Sequence, residues 1–180
     1  MTLIKERQGD WMQVNSGARF YPMDVHPEDI NPKDIAHALS LLCRYGGHVD
    51  RFYSVAEHCV LMSEAVPPEH ALHALLHDAT EAYVVDVPRP VKRYLSNYQD
   101  IEDNVWLAIT EHFDIDPHLP LEVTDADNSI ILTERNALMS NAEKRWGLDE
   151  IYTPLPVKVV GLASQFAESR YYNRLMELTK

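Results

Sequence analysis

Apolar residues recur along most of this chain at three- and four-residue spacing, the pattern of helices that bury one face. Ile35, Leu39 and Leu42 form such a stripe after Asn31-Pro32, a cap followed by a first-turn proline, and predict a helix running to about Arg44. Gly46-Gly47 breaks it. Ser54-Val55-Ala56-Glu57 has the form of a capping box, in which Ser and Glu side chains satisfy free amides, so a second helix is expected to about Ala65. Pro67-Pro68 ends that helix and opens the next, which the pattern carries from Pro68 to about Val85 before Pro88 and Pro90 interrupt. Further helices are expected over Asp100 to Phe113, Leu121 to Trp146 and Val157 to Leu178. Strand signals are confined to Met12-Gln13-Val14 and Ala18-Arg19-Phe20-Tyr21, which flank the turn sequence Asn15-Ser16-Gly17. The expected class is all-α with a small N-terminal β-hairpin, folded as one domain over residues 1–180.

A formal charge of -12 narrows the partners. Coating a nucleic-acid polymer needs an excess of Lys and Arg, so no polymer is expected, whereas one small anion remains compatible with the local cations Arg44, Arg51, Arg89, Lys92 and Arg93. No stretch approaches the ~20 apolar residues that span a bilayer, and Met1 to Asp10 is charged rather than signal-like. These features predict a cytoplasmic protein, in a host's cytoplasm if viral, with no membrane partner. Cys43 and Cys59 lack C-x-x-C spacing and are read as buried thiols.

The chemistry concentrates in Ala74-Leu75-Leu76-His77-Asp78-Ala79-Thr80-Glu81. On a continuous helix His77 and Glu81 share a face and Asp78 is turned by ~100°, so imidazole and carboxylate can straddle an ion at the helix edge. One helix cannot close such a site. His58, at the start of one expected helix, and Asp127, in another, can complete it, leaving coordination positions open for water and substrate. Asp125 competes with Asp127 as the last ligand. His70 and His73 share the helix with His77, but seven residues of helix rise ~10 Å, too far for His70 and His77 to share one ion. Trp11, Trp106 and Trp146 are read as core or helix-packing residues.

The order His58, His77-Asp78, Asp127 resembles that of the HD-domain metal-dependent phosphohydrolases, and most closely their small members, the bacterial 5'-deoxynucleotidases and phage dATP triphosphohydrolases. The resemblance covers most of the chain and implies an HD-type helical bundle. It implies His58, His77, Asp78 and Asp127 as ligands of one divalent metal ion, cobalt, zinc or manganese, with magnesium available for additional phosphate. Glu81 would be the catalytic acid or base. Asp86-Val87-Pro88-Arg89-Pro90-Val91-Lys92 looks like the family's Asp-Leu-Pro-x-Pro-x-Lys loop, placing Asp86, Pro90 and Lys92 at the substrate and Lys92 on phosphate. Arg44-Tyr45 stands where the family has Arg-Trp, implying Arg44 on phosphate and Tyr45 against sugar or base. The implied activity is attack of a metal-activated water on the α-phosphorus of a deoxyribonucleoside 5'-phosphate. Arg89, Lys92, Arg93 and Lys158 as extra cations favour a triphosphate, dATP first, over dNMP. A catalytically silent nucleotide sensor and a single-strand nuclease are the readings from other classes. A homo-oligomer, dimer or higher, is also expected.

Overall fold

Asn15-Ser16-Gly17 makes the turn its composition requires. In the structure, a computed structural model that describes residues 7–180, β1 (Met12–Gln13) pairs antiparallel with β2 (Arg19–Phe20), Met12 opposite Phe20. Gly17 takes φ +86°, which glycine adopts without a Cβ penalty, and its amide donates to the Val14 carbonyl at 2.9 Å. Residues 1–6 of the charged N-terminus lie outside the described part.

Everything that follows is helix or connection: α1 (Pro32–Leu41), α2 (Val55–Ala65), α3 (Ala71–Leu76), α4 (Glu81–Val84), α5 (Arg89–Lys92), α6 (Ser96–Phe113), α7 (Leu121–Leu138) and α8 (Ser164–Leu178). The fold is all-α with a small hairpin, as the periodicity predicts. Among the described residues no helix is long and apolar enough to cross a membrane.

Helix α2 is the axis of the molecule. Val55 through Ser63 are all buried, only Glu64 and Ala65 at the end of the helix being exposed, and two apolar clusters meet on it. Ile35, Leu39, Cys59, Leu76, Ile109 and Tyr171 belong to the first, joining α1, α2, α3, α6 and α8. Leu61, Met62, Ala74, Val123, Ile130 and Leu138 belong to the second, joining α2, α3 and α7. Any residue from Val55 to Ser63 is therefore fixed from all sides.

The helix ends depart from the periodic reading for reasons visible in the backbone bonds. Helix α1 stops at Leu41 rather than Arg44 because the Arg44 amide donates to Tyr53 (2.9 Å) and the Val55 amide to Leu42 (3.0 Å), pulling 42–44 into an extended bridge. The helix expected over 68–85 is broken. It starts with a 3₁₀ turn, runs as α3 only to Leu76, and tightens where the Ala79 amide reaches Leu76 (2.8 Å) and the Glu81 amide Asp78 (3.0 Å). Helix α6 begins four residues earlier than Asp100, at Ser96. Helix α7 ends at Leu138, whose carbonyl accepts from the Asp50 amide at 2.7 Å, and 139–146 continues as a loop.

Helix α8 starts at Ser164, not Val157, and the cause is Glu57. Ser54 Oγ does accept the Glu57 amide at 3.1 Å, the expected half of the capping box. The Glu57 carboxylate turns instead to the amides of Val160 (2.9 Å), Gly161 (3.1 Å) and Leu162 (2.6 Å). That buried anion holds the segment non-helical. Gly161 has φ +78°, and a Cβ there would stand 2.8 Å from the Phe52 carbonyl oxygen, so only glycine fits.

Candidate metal centre

Three elements deliver four donor side chains to one point. His58 projects from the second turn of α2, His77 and Asp78 stand where α3 gives way to the tightened turn, and Asp127 stands on α7. His58 Nε2 is 3.3 Å from His77 Nε2, 3.5 Å from Asp78 Oδ2 and 3.6 Å from Asp127 Oδ1. His77 Nε2 is 3.3 Å from Asp78 Oδ1 and 3.9 Å from Asp127 Oδ1. The break after Leu76 removes the continuous face on which His77 and Glu81 were expected to lie.

Bonds on the far side of each ring decide which nitrogen faces the cluster. His58 Nδ1 donates to Glu134 Oε1 at 2.6 Å, and His77 Nδ1 donates to the Ala74 carbonyl at 2.9 Å. Each Nε2 then presents a lone pair to the other, with two carboxylates beside them. Such a group is repulsive unless it shares a proton or a cation. Donors about 2.1 Å from a zinc-sized ion stand about 3.4 Å apart in a tetrahedral shell, close to the spacings found here. The residues fit a metal ion, and Cys59 Sγ lies within 4.8 Å of donors from His77 and Asp78 as a further member of the group. Burial pushes the Asp78 carboxyl up, but the neighbouring His77 and His58 rings and the Arg44 guanidinium bring it below its ordinary range.

Behind the donors lies Glu134, fully buried on α7 and seven residues beyond Asp127, hence on the same helix face. Besides His58 it accepts from Tyr53 Oη (2.8 Å), Arg44 Nε (3.2 Å) and Tyr45 Oη. Burial pushes its carboxyl up, yet Arg44, His58 and these hydrogen bonds hold it down to about 2. Arg44 also donates to Asp78 Oδ2 at 3.2 Å. Arg44 and Tyr45 therefore spend their polar atoms on the centre itself, Tyr45 from a backbone φ of +58°.

The centre opens into a cleft of about 660 Å³ lined by Arg44, Tyr45, Asp86, Pro90 and Lys92 and by Asp78 and Asp127. Glu81 faces it from the first turn of α4, with one carboxylate oxygen that has no hydrogen-bond partner among the described residues. Burial, then Asp78 and Asp86, pushes the Glu81 carboxyl up to about 10. Lys92 Nζ pairs with Glu102 at 2.5 Å. Arg89, largely exposed, reaches Asp127 Oδ2 at 2.8 Å and Asn128 Oδ1 at 3.3 Å. Asp125 is exposed on α7. His73 Nε2 donates to the Asp116 carbonyl at 2.9 Å, and His70 Nε2 lies 3.6 Å from the Glu122 carboxylate.

No family model matches this chain. It is 39% identical over 171 residues to an Escherichia coli K12 protein described as uncharacterized protein YfdR, covering 94% of this chain and 96% of that one. The chain belongs to the YfdR family. An uncharacterized protein of Rhodobacter capsulatus shares 34% identity over 170 residues, 85% of each chain.

In this YfdR-family chain one tryptophan departs from the expectation, and one acid of the centre lies outside it. Trp106 does pack between elements, its Nε1 donating to the Pro117 carbonyl at 2.8 Å. Trp11 is 49% exposed rather than core, and Trp146 lines the cleft beside Ile131, Met139 and Leu148. Cys43 is half-buried, whereas Cys59 is fully buried as expected. Glu134 was legible only through the seven-residue step from Asp127, two helical turns on one face.

Proposed function

We propose that the protein is a metal-dependent hydrolase of deoxyribonucleoside 5'-phosphates of the HD-domain kind, with dATP as the first substrate to test. The observation that carries this reading is the convergence of two imidazole lone pairs with Asp78 and Asp127 on a cleft of nucleotide size. Zinc, cobalt or manganese suits these donors and, when bound, supplies Lewis acidity and a water of lowered pKa. Glu81 stands ready to exchange a proton with the attacking water or the departing 5'-oxygen, its unpartnered oxygen being free to do so. Arg89, held only by exposed contacts, swings to the phosphoryl oxygens, and Lys92 adds positive charge from the cleft wall.

The cleft lining carries Arg44, Arg89 and Lys92 against Asp78, Glu81, Asp86 and Asp127. With the Glu81 carboxyl pushed up to about 10 and so uncharged near neutral pH, the three cations balance the three remaining acids, and a divalent ion would leave a positive excess matched to a dianion. A triphosphate accompanied by magnesium is such a ligand, and so is a deoxynucleoside monophosphate. The monophosphate is the second reading, favoured by the pairing of Lys92 with Glu102, which leaves fewer cations for a long phosphate tail.

Incubation with dAMP, dATP, ATP and a short oligonucleotide in cobalt or manganese, followed by product separation, tests both. Triphosphate release from dATP is the expected result, phosphate from dAMP supports the second reading, and tight binding without turnover points to a sensor. His77→Ala and Asp78→Ala should each abolish turnover and metal retention while the helical circular dichroism persists. Full activity in either variant contradicts the assignment.

A further inference from the structure

We infer that Trp146 is the platform on which the substrate's base stacks, an inference that rests on the nucleotide-hydrolase reading and assigns the wall of the cleft which that reading leaves open. Asp78, Glu81, Asp127 and the cations give the cleft a polar wall, while Ile131, one turn beyond Asp127 on α7, Met139, Trp146 and Leu148 give it an apolar one. Trp146 brings a large π-face to that apolar wall, and a π-face accepts any base.

The indole is also held in place. Arg135 lies with its guanidinium carbon 5.3 Å from the indole centroid. Arg135 lines a separate hollow of about 400 Å³ and not the cleft, whereas Trp146 lines the cleft and not that hollow, with Met139 common to both. Arg135 is itself locked by two bonds to Asp149, at 2.7 and 2.8 Å, and Asp149 accepts the Trp146 backbone amide at 3.0 Å. A ring fixed by a cation on one face loses little freedom when a base covers the other, which is what preorganised stacking needs.

Helix α7 sets the distance from the centre to Arg135 at the indole. Asp127 and Arg135 are eight residues apart on it, a rise of about 12 Å, comparable to the reach of a nucleotide from its phosphorus to its base. The apolar side chains around Trp146 recognise ring area rather than a hydrogen-bond pattern, so purines should be preferred to pyrimidines. Tyr45, whose hydroxyl is committed to Glu134, is left to the sugar.

The experiment compares dAMP with deoxyribose 5-phosphate, which lacks only the base, in wild type, Trp146→Ala and Trp146→Phe. The ratio of kcat/KM for dAMP to that for the base-free ester should fall about tenfold or more in Trp146→Ala and less in Trp146→Phe. An unchanged ratio in Trp146→Ala overturns the stacking assignment. Tryptophan fluorescence gives a readout independent of turnover: dAMP should quench wild type and deoxyribose 5-phosphate should not, and Trp146→Phe, which retains Trp11 and Trp106, should lose the quench. Quenching without hydrolysis of dAMP, dATP or the base-free ester leaves the platform standing and removes the hydrolase reading. Hydrolysis of dAMP without quenching does the reverse.

Discussion

Glu134→Gln is the most discriminating perturbation of the centre, because it changes one charge and almost no volume. The carboxylate has no solvent contact and accepts from His58, Tyr53, Arg44 and Tyr45. With its pKa held at about 2 in the folded protein against an ordinary 4.5, it contributes about 3 kcal/mol to stability at neutral pH. The sign follows from the direction of the shift: a depressed folded-state pKa gives stability that is fully present above about 4.5 and is lost as pH falls toward 2. The amide removes the partner charge of Arg44 and sets an NH2 group against donors, which for a broken buried pair costs about 3–5 kcal/mol. Urea unfolding of the metal-free proteins at pH 7 should show the variant less stable by about 3 kcal/mol, with the gap narrowing as both are taken from pH 4.5 toward 2. Metal titration should show affinity weaker by about 10- to 100-fold, because His58 loses the anion that orients its ring. Equal unfolding midpoints at pH 7, or a gap that does not change with pH, would refute the role given to Glu134.

Glu81→Gln should do the opposite to stability while losing most of the turnover and keeping the metal. A raised folded-state pKa gives stability that is present below about 4.5 and lost as pH climbs toward 10, so an amide, which needs no proton to be neutral, should raise the unfolding free energy of the metal-free protein at pH 8 by up to about 5 kcal/mol and leave it unchanged at pH 4. A lower midpoint at pH 8 counts against a strained carboxyl. Glu57→Gln keeps the shape but trades one acceptor oxygen for a donor facing backbone amides, and should destabilise by about 2 kcal/mol and speed hydrogen exchange at Val160, Gly161 and Leu162. Unaltered exchange at those three amides would show that the carboxylate does not hold the strap.

Local signals were read well where one residue decides the outcome. Asn31 accepts the Lys33 amide, Ser54 accepts the Glu57 amide, and Gly17 takes the turn, all by short-range chemistry that a sequence displays. The misread boundaries are those set from afar. Nothing in Leu76-His77-Asp78 announces a break, since neither proline nor glycine marks it. Val157 to Leu162 is kept from helix by an anion more than a hundred residues earlier, and α1 is shortened by pairing with Tyr53 and Val55. The meeting of His58, His77, Asp78 and Asp127 was legible through the family pattern rather than through periodicity, which cannot bring separate helices to a point. Glu134 and Trp146 escaped because their roles depend on which face of α7 and which wall of the cleft they occupy.

The two arginines beside the centre have a wider consequence. Arg44 rests on Asp78 and Glu134, and Arg89 on Asp127, so the acids of the group each have a guanidinium at hand. The two cations differ in tenure: Arg89, exposed and weakly held, is a latch that can let go of Asp127, whereas Arg44, locked in the interior, is permanent wiring.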